Sequence, residues 1–200
     1  MLPRDIKFNG KVYSIRALIS VLERDLKDLS IHKDRYEDEC INLVSQYGML
    51  IKYIENPSEK VCMTAIKENG YAVTYIDNPT ELMCIEAVKE NWAVLNHIEN
   101  QTYNVCLEAL KSNITAFQFI KDKTRELCLK ALEIDGRALL FMEEQTEEYC
   151  ITAVKQNGLV LEYVRSQTEN ICIEAVLSNK RALDFVKDKT SDILLAAMCG

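Results

Sequence analysis

Seven cysteines, Cys40, Cys62, Cys84, Cys106, Cys128, Cys150 and Cys172, follow one another at a constant interval. A fixed long period marks a chain built by repeating one small supersecondary unit, each copy burying its apolar face on its neighbours. The next place in the series holds Leu194, and Cys199 stands outside it. Other columns keep the same period. Three residues after the ladder cysteine come Ala65, Ala87, Ala109, Ala131, Ala153 and Ala175, with Ala197 after Leu194 and Leu43 as the departure. Four residues before it come Ser58, Thr80, Thr102, Thr124, Thr146, Thr168 and Thr190. Seven after come Asn69, Asn91, Asn113, Asp135, Asn157 and Asn179, with Tyr47 the exception. Thirteen after comes a ring column: Tyr53, Tyr75, His97, Phe119, Phe141, Tyr163 and Phe185.

Each unit reads as two short helices. In Thr102 to Gln118, Thr102 is a good N-cap, because its hydroxyl accepts from a backbone N–H of the first turn. Acidic residues such as Glu81, Glu147, Glu148 and Glu169 follow several caps, where the positive helix end favours them. Val105, Cys106, Ala109 and Leu110 fall on one helical face, widened by Leu107. Asn113 stands where the helix should stop. Asn69-Gly70, Asp135-Gly136 and Asn157-Gly158 suggest left-handed termination, which Asn and Gly tolerate. Ala116, Phe117, Phe119 and Ile120 then predict a second helix of about two turns. Pro57 and Pro79 precede the caps of two units and block the previous helix from continuing.

Helices under roughly 12–15 residues are marginal in water on their own, so stability comes from stacking on adjacent repeats. The Ala column suits close approach, since a larger residue there would overpack. The Cys column reads the same way, as small buried hydrophobes. Successive repeats stack at roughly the 8–10 Å helix-packing distance, beyond the roughly 7 Å Cα limit for a disulfide. Reduced structural thiols follow, and with them a reducing compartment such as the cytosol.

The ends differ from the middle. Ile6-Lys7-Phe8, Asn9-Gly10 and Lys11-Val12-Tyr13 form a hairpin signal, since Asn-Gly suits a type I′ turn. Leu18, Val21, Leu22, Leu26 and Leu29 mark an amphipathic helix. The expected fold is an all-α solenoid of short helix-turn-helix repeats. Residues 1–36 form a hairpin-helix cap, residues 37–190 seven repeats, and residues 191–200 a C-terminal capping helix. The hairpin segment also fits a docking element.

The recurring T-x-x-x-C-φ-x-A-φ-x-x-N-G, followed by an aromatic-bearing second helix and Q-T, resembles a family of tandem helical repeats of unknown function. That family occurs in bacterial and giant-virus proteins. Thr146 to Thr168 carries the resemblance best, and it extends over roughly residues 34–200. It implies an all-helical array and transfers no catalytic residue. Trp92 and Ile114 depart from it, standing where the pattern has glycine.

The chain offers little for catalysis. It contains no P-loop, GxGxxG, HExxH or GxSxG. Cys84 and His97 share a unit, yet Cys84 is one rung of the ladder and His97 one member of the ring column, so both read as packing residues. Without a CxxC pair, and with only His32 and His97 as imidazoles, a metal centre has no basis in the spacing. No catalytic residue, metal or cofactor is expected. Glu86 with Lys89, and Glu108 with Lys111, are i,i+3 pairs of an exposed face.

Thirty-one acidic against 24 basic residues give a formal charge of −7, which removes the counterion-release term that drives nucleic-acid binding. Helical repeats also read RNA base by base, but the column Lys67, Lys89, Lys111, Lys155 is interrupted by Glu133 and Leu177 and offset by neighbouring Glu. No apolar run approaches the roughly 18 residues of a membrane span, and the first residues lack a signal-peptide layout.

A protein partner is the leading expectation. Tyr71, Trp92 and Ile114 add apolar bulk at related inter-helix turns, and aromatic anchors often dominate interfaces. Arg137, Lys180 and Arg181 at later turns form a candidate basic patch for an acidic partner. The expected function is a non-catalytic protein-binding scaffold in the cytoplasm, monomeric or weakly self-associating. The family's occurrence suggests a phage- or virus-encoded inhibitor of a host defence or regulatory protein. A structural or self-assembling repeat protein is the alternative, and an RNA-binding repeat the third reading.

Overall fold

In six of the repeats a short polar residue ends one helix and begins the next, while Tyr47 stands in its place in the first without a side-chain cap. In a computed structural model, residues 5–8, 11–14, 16–18, 20–21 and 33–199 are described. The chain divides into two compact units, Met1–Ile98 and Glu99–Gly200. The fold is all-α and of the solenoid kind: within each unit, helix pairs pack on the pairs adjacent in sequence.

In the first unit, β1 (Asp5–Phe8) and β2 (Lys11–Ser14) pair antiparallel, with Ile6 opposite Tyr13 and Phe8 opposite Lys11. The predicted turn Asn9-Gly10, and Leu22, Leu26 and Leu29 of the predicted helix, lie outside the described residues. Residues 16–18 and 20–21 are helical. Ile6 and Leu18 are buried in one cluster with Leu43 and Leu50 of the first repeat, and Tyr13, Tyr47 and Tyr53 pack against it. The repeats of this unit are α1 (Lys33–Gln46) with the 3₁₀ helix η1 (Gly48–Tyr53), α2 (Glu59–Glu68) with η2 (Gly70–Tyr75), and α3 (Glu81–Glu90) with η3 (Trp92–His97).

The second unit contains α4 (Tyr103–Ser112) with η4 (Ile114–Phe119), α5 (Arg125–Ile134) with η5 (Gly136–Phe141), and α6 (Glu147–Gln156) with η6 (Gly158–Tyr163). It continues with α7 (Glu169–Ser178), η7 (Lys180–Phe185) and α8 (Ser191–Cys199).

The predicted caps are in place. The hydroxyls of Ser58, Thr80, Thr102, Thr124, Thr146 and Thr168 each accept from the backbone N–H three residues on. The expectation of left-handed helix ends is overturned. Asn69, Asn91, Asn113, Asp135, Asn157 and Asn179 are extended, with φ between −161 and −151°. Each donates its N–H to the column alanine four residues earlier. Its side-chain oxygen accepts from the N–H two residues on, starting the second helix. A left-handed residue would turn the chain away from that start. The second helix has the predicted two turns, but it is a 3₁₀ helix of six residues at three per turn. Left-handed backbone does occur one loop later, at Asn56 (φ 47°) and Asn78 (φ 51°), each followed by the expected proline.

The column alanines Ala65, Ala87, Ala109, Ala131, Ala153 and Ala175 are all fully buried. The carbonyls of Ala65, Ala87, Ala153 and Ala175 lie nearest the glycine of the preceding repeat. A Cβ on Gly48, Gly70, Gly136 or Gly158 would lie 2.4, 2.5, 2.7 or 2.2 Å from the carbonyl oxygen of Ala65, Ala87, Ala153 or Ala175, respectively. The glycines are therefore needed for proximity between repeats. The seven ladder cysteines are buried thiols, none of them in a disulfide. Several thiols donate to the carbonyl five residues earlier, as Cys128 does to Lys123 at 3.5 Å and Cys106 to Gln101 at 3.9 Å. A small apolar residue with a weak donor suits that place.

Candidate functional site

Two residues before each ladder helix begins, three repeats of the second unit place a glutamine that ties one repeat to the next. Gln101 Nε2 donates to the Phe119 carbonyl at 3.1 Å, and its Oε1 accepts from the Lys121 N–H at 2.9 Å. Gln145 makes the same pair with the Tyr163 carbonyl and the Arg165 N–H, at 3.2 and 2.9 Å. Gln167 repeats it with Phe185 and Lys187, both at 3.0 Å. A carboxamide carries both donor and acceptor, so one side chain satisfies two backbone groups of the facing loop. All three glutamines are half-buried.

Between Gln101 and Gln145 this place is held by Lys123. An ammonium only donates, and it cannot reproduce the clamp. Lys123 is exposed, and its Nζ donates to the Ile120 carbonyl of its own repeat at 2.7 Å, lying 5.5 Å from the Phe117 ring centre. The facing groups, the Phe141 carbonyl and the Glu143 N–H, have no protein partner among the described residues. The repeat before Lys123 carries Ile114 where η5 and η6 begin with glycine, and η4 packs only sparsely on α5. A Cβ at this place demands a wider approach, as the glycine distances show.

A groove of about 780 Å³ opens here, lined by Phe117, Gln118, Lys121, Lys123, Cys128, Leu140, Phe141, Met142, Glu143, Glu144, Tyr149 and Arg165. Its cations are held by backbone carbonyls. Lys121 Nζ donates to Glu99 at 3.2 Å, and Arg165 donates to Glu143 at 2.6 Å and Met142 at 3.0 Å. Near the groove, Arg125 Nε donates to Glu148 Oε2 at 3.0 Å and ties α5 to α6. Tyr149 and Cys128 both line the groove, and the Cys128 thiol donates to the Lys123 carbonyl. Burial pushes that thiol up, against the opposite pulls of Tyr149 and Lys123. Burial likewise raises the other ladder thiols Cys62, Cys84, Cys106, Cys150 and Cys172. Nucleophilic cysteines need the opposite shift. No group of three or more His, Cys, Asp or Glu able to hold a metal ion occurs among the described residues.

The predicted contact residues are placed as follows. Tyr71 and Trp92 are half-buried in the first unit, where the Tyr71 ring meets the His97 ring edge-on at 5.7 Å. His97 thus engages its ring with Tyr71, while Cys84 is buried. Ile114 is half-buried in the second unit, so the predicted apolar stripe has members in both. Arg137 is exposed and closes on Asp135, with Nη2 to Oδ2 at 2.6 Å. Lys180 and Arg181 are exposed at the start of η7, and Leu159 occupies the corresponding turn between Arg137 and Arg181. Glu86–Lys89 and Glu108–Lys111 are ion pairs at 2.8 and 2.7 Å on exposed helix faces, as expected.

Sequence reasoning missed Lys123. A signal was present: the column reads Pro57, Pro79, Gln101, Lys123, Gln145, Gln167 and Lys189, so Lys123 stands between repeats that carry glutamine there. No helix of the described residues is long and apolar enough to cross a membrane. No family model matches the chain, and no curated protein or solved structure is significantly similar to it.

Proposed function

We propose that the chain is a non-catalytic scaffold that binds a protein partner through an extended peptide segment, with the groove at Lys123 as its contact surface. The observation that carries this reading is the groove between the loop at Lys123 and the loop at Phe141–Glu144, where a carbonyl and N–H of the kind that three other repeats of the second unit clamp with a glutamine lie among aromatic and cationic side chains. Extended peptides are bound in this way, by main-chain hydrogen bonds for affinity and side-chain pockets for selection. Seven buried thiols outside any disulfide support work in a reducing compartment such as the cytoplasm. The narrower reading, an inhibitor of a host regulatory or defence factor, rests on the family resemblance.

Selection of a random heptapeptide library on the immobilised chain tests the proposal. Enriched peptides should bind in titration calorimetry, and their addition should move the amide resonances of Phe141 to Glu144. A chain that enriches no peptide, or binds peptides without moving those resonances, does not use this groove.

A further inference from the structure

Three repeats of the second unit place the same pair of backbone groups, a carbonyl and the N–H two residues later, against a glutamine carboxamide. The fourth presents the Phe141 carbonyl and the Glu143 N–H to a groove from which that carboxamide is missing, because Lys123 occupies the position. Both residues line the groove. We infer that this groove selects a partner segment bearing a primary carboxamide, a Gln or Asn side chain, which takes the place that Gln145 and Gln167 fill in the neighbouring repeats.

The chemistry is specific for three reasons. A primary carboxamide has an N–H₂ donor and a carbonyl acceptor in one plane, the combination the carbonyl and N–H require. A carboxylate would place negative charge against the Phe141 carbonyl, and an alkyl chain would leave both backbone groups without partners, at a cost in affinity. Lys123 also keeps the site open, since its ammonium is turned to Ile120 and lies over Phe117. Phe141 of the ring column and Tyr149 both line the groove and supply aromatic surface beside these groups.

The inference rests on the reading of the groove as a peptide-binding surface, and the test separates the two. Peptides enriched from the heptapeptide library are resynthesised with each Gln or Asn replaced: Gln by isosteric Met, Asn by Leu. They are titrated against wild type and Lys123→Gln. The expected result is a Gln or Asn at one fixed place in the enriched peptides. Its replacement weakens binding about tenfold or more, and the Glu143 amide resonance shifts with the carboxamide peptide only. Lys123→Gln should weaken the same peptide by at least as much, because its own carboxamide fills the place, while circular dichroism shows the helices retained. Peptides that bind the groove with no carboxamide preference, or that bind Lys123→Gln as well as wild type, overturn the inference and leave the scaffold reading standing. Absence of any groove-binding peptide overturns both.

Discussion

A Cβ on Gly158 would lie 2.2 Å from the carbonyl oxygen of Ala175, the column alanine of the next repeat. The next nearest atoms are the Asn179 nitrogen and Cβ, at 3.0 and 3.1 Å. None of these is the loose end of a side chain, so a methyl here must push α7 away from η6. Gly158→Ala should cost about 2–3 kcal/mol through overpacking, read from urea melts. Gly136→Ala should cost less. Its clash with Ala153 is milder at 2.7 Å, and its other neighbours are the tips of Gln156 and Val160. Equal losses at the two sites would show that repeat spacing is not set by this contact.

The glutamine clamp has an energetic signature. Gln145→Ala leaves the Tyr163 carbonyl and the Arg165 N–H without their shared partner. The expected loss is about 1–3 kcal/mol, with faster hydrogen exchange at the Arg165 amide. Lys123→Gln adds the clamp where the chain lacks it and should gain about 1 kcal/mol. A Lys123→Gln chain less stable than wild type would mean that the two loops are too far apart to be bridged.

Asp135 supplies a pH test. Hydrogen bonds from the Arg137 side chain, and secondarily its backbone N–H, hold the Asp135 carboxyl below its ordinary value against the opposing effect of partial burial. A carboxyl depressed in the folded state stabilises the fold at pH above its unfolded value of about 3.9. That contribution falls away as pH drops through the folded value. Asp135→Asn preserves the side-chain oxygen that accepts from the Arg137 N–H, as asparagine does in the sister repeats. Wild type should therefore exceed Asp135→Asn in stability at pH 7, and the gap should close on acidification. Thermal melts of both between pH 7 and about 3 decide it; a gap independent of pH would remove the carboxylate as its source.

The thiol ladder should be slow to react. Burial raises Cys150, and Glu147 adds to the effect. Raised thiols keep their stabilising contribution below the unfolded value of about 8.5, and it is lost as pH climbs from there through the folded values. Iodoacetamide should label Cys150 in the native chain at pH 8 more than about tenfold more slowly than in the unfolded chain. Native labelling at the unfolded rate would contradict burial of the ladder.

Features coded within a single turn were legible from the residues. The hydroxyl at each N-cap, the apolar face of Val105, Cys106, Ala109 and Leu110, and the alanines of close approach are where periodicity placed them. The candidate site was less legible. Trp92, Ile114 and the basic turn residues are conspicuous as departures from their columns, yet none of them lines the groove. Lys123 does line it, and it draws no notice because a lysine in a polar loop is ordinary.

The period of the cysteine ladder and the residues it aligns were enough to dictate an all-α array of helix pairs, the places where the first helix of each pair starts and stops, and the burial of the ladder thiols, but not the extended conformation of the Asn column. These follow from interactions spanning four residues or fewer and from burial that every copy shares. Only the folded arrangement decided why glycine follows asparagine, since the obstacle is the carbonyl of an alanine in the next repeat rather than a local φ. It alone showed the glutamine clamp, whose partners lie 18 and 20 residues on, in the next repeat. Spacing between repeats depends on which atoms meet across the stack, and the loops facing each other at Lys123 stay unclamped because an ammonium cannot supply both donor and acceptor.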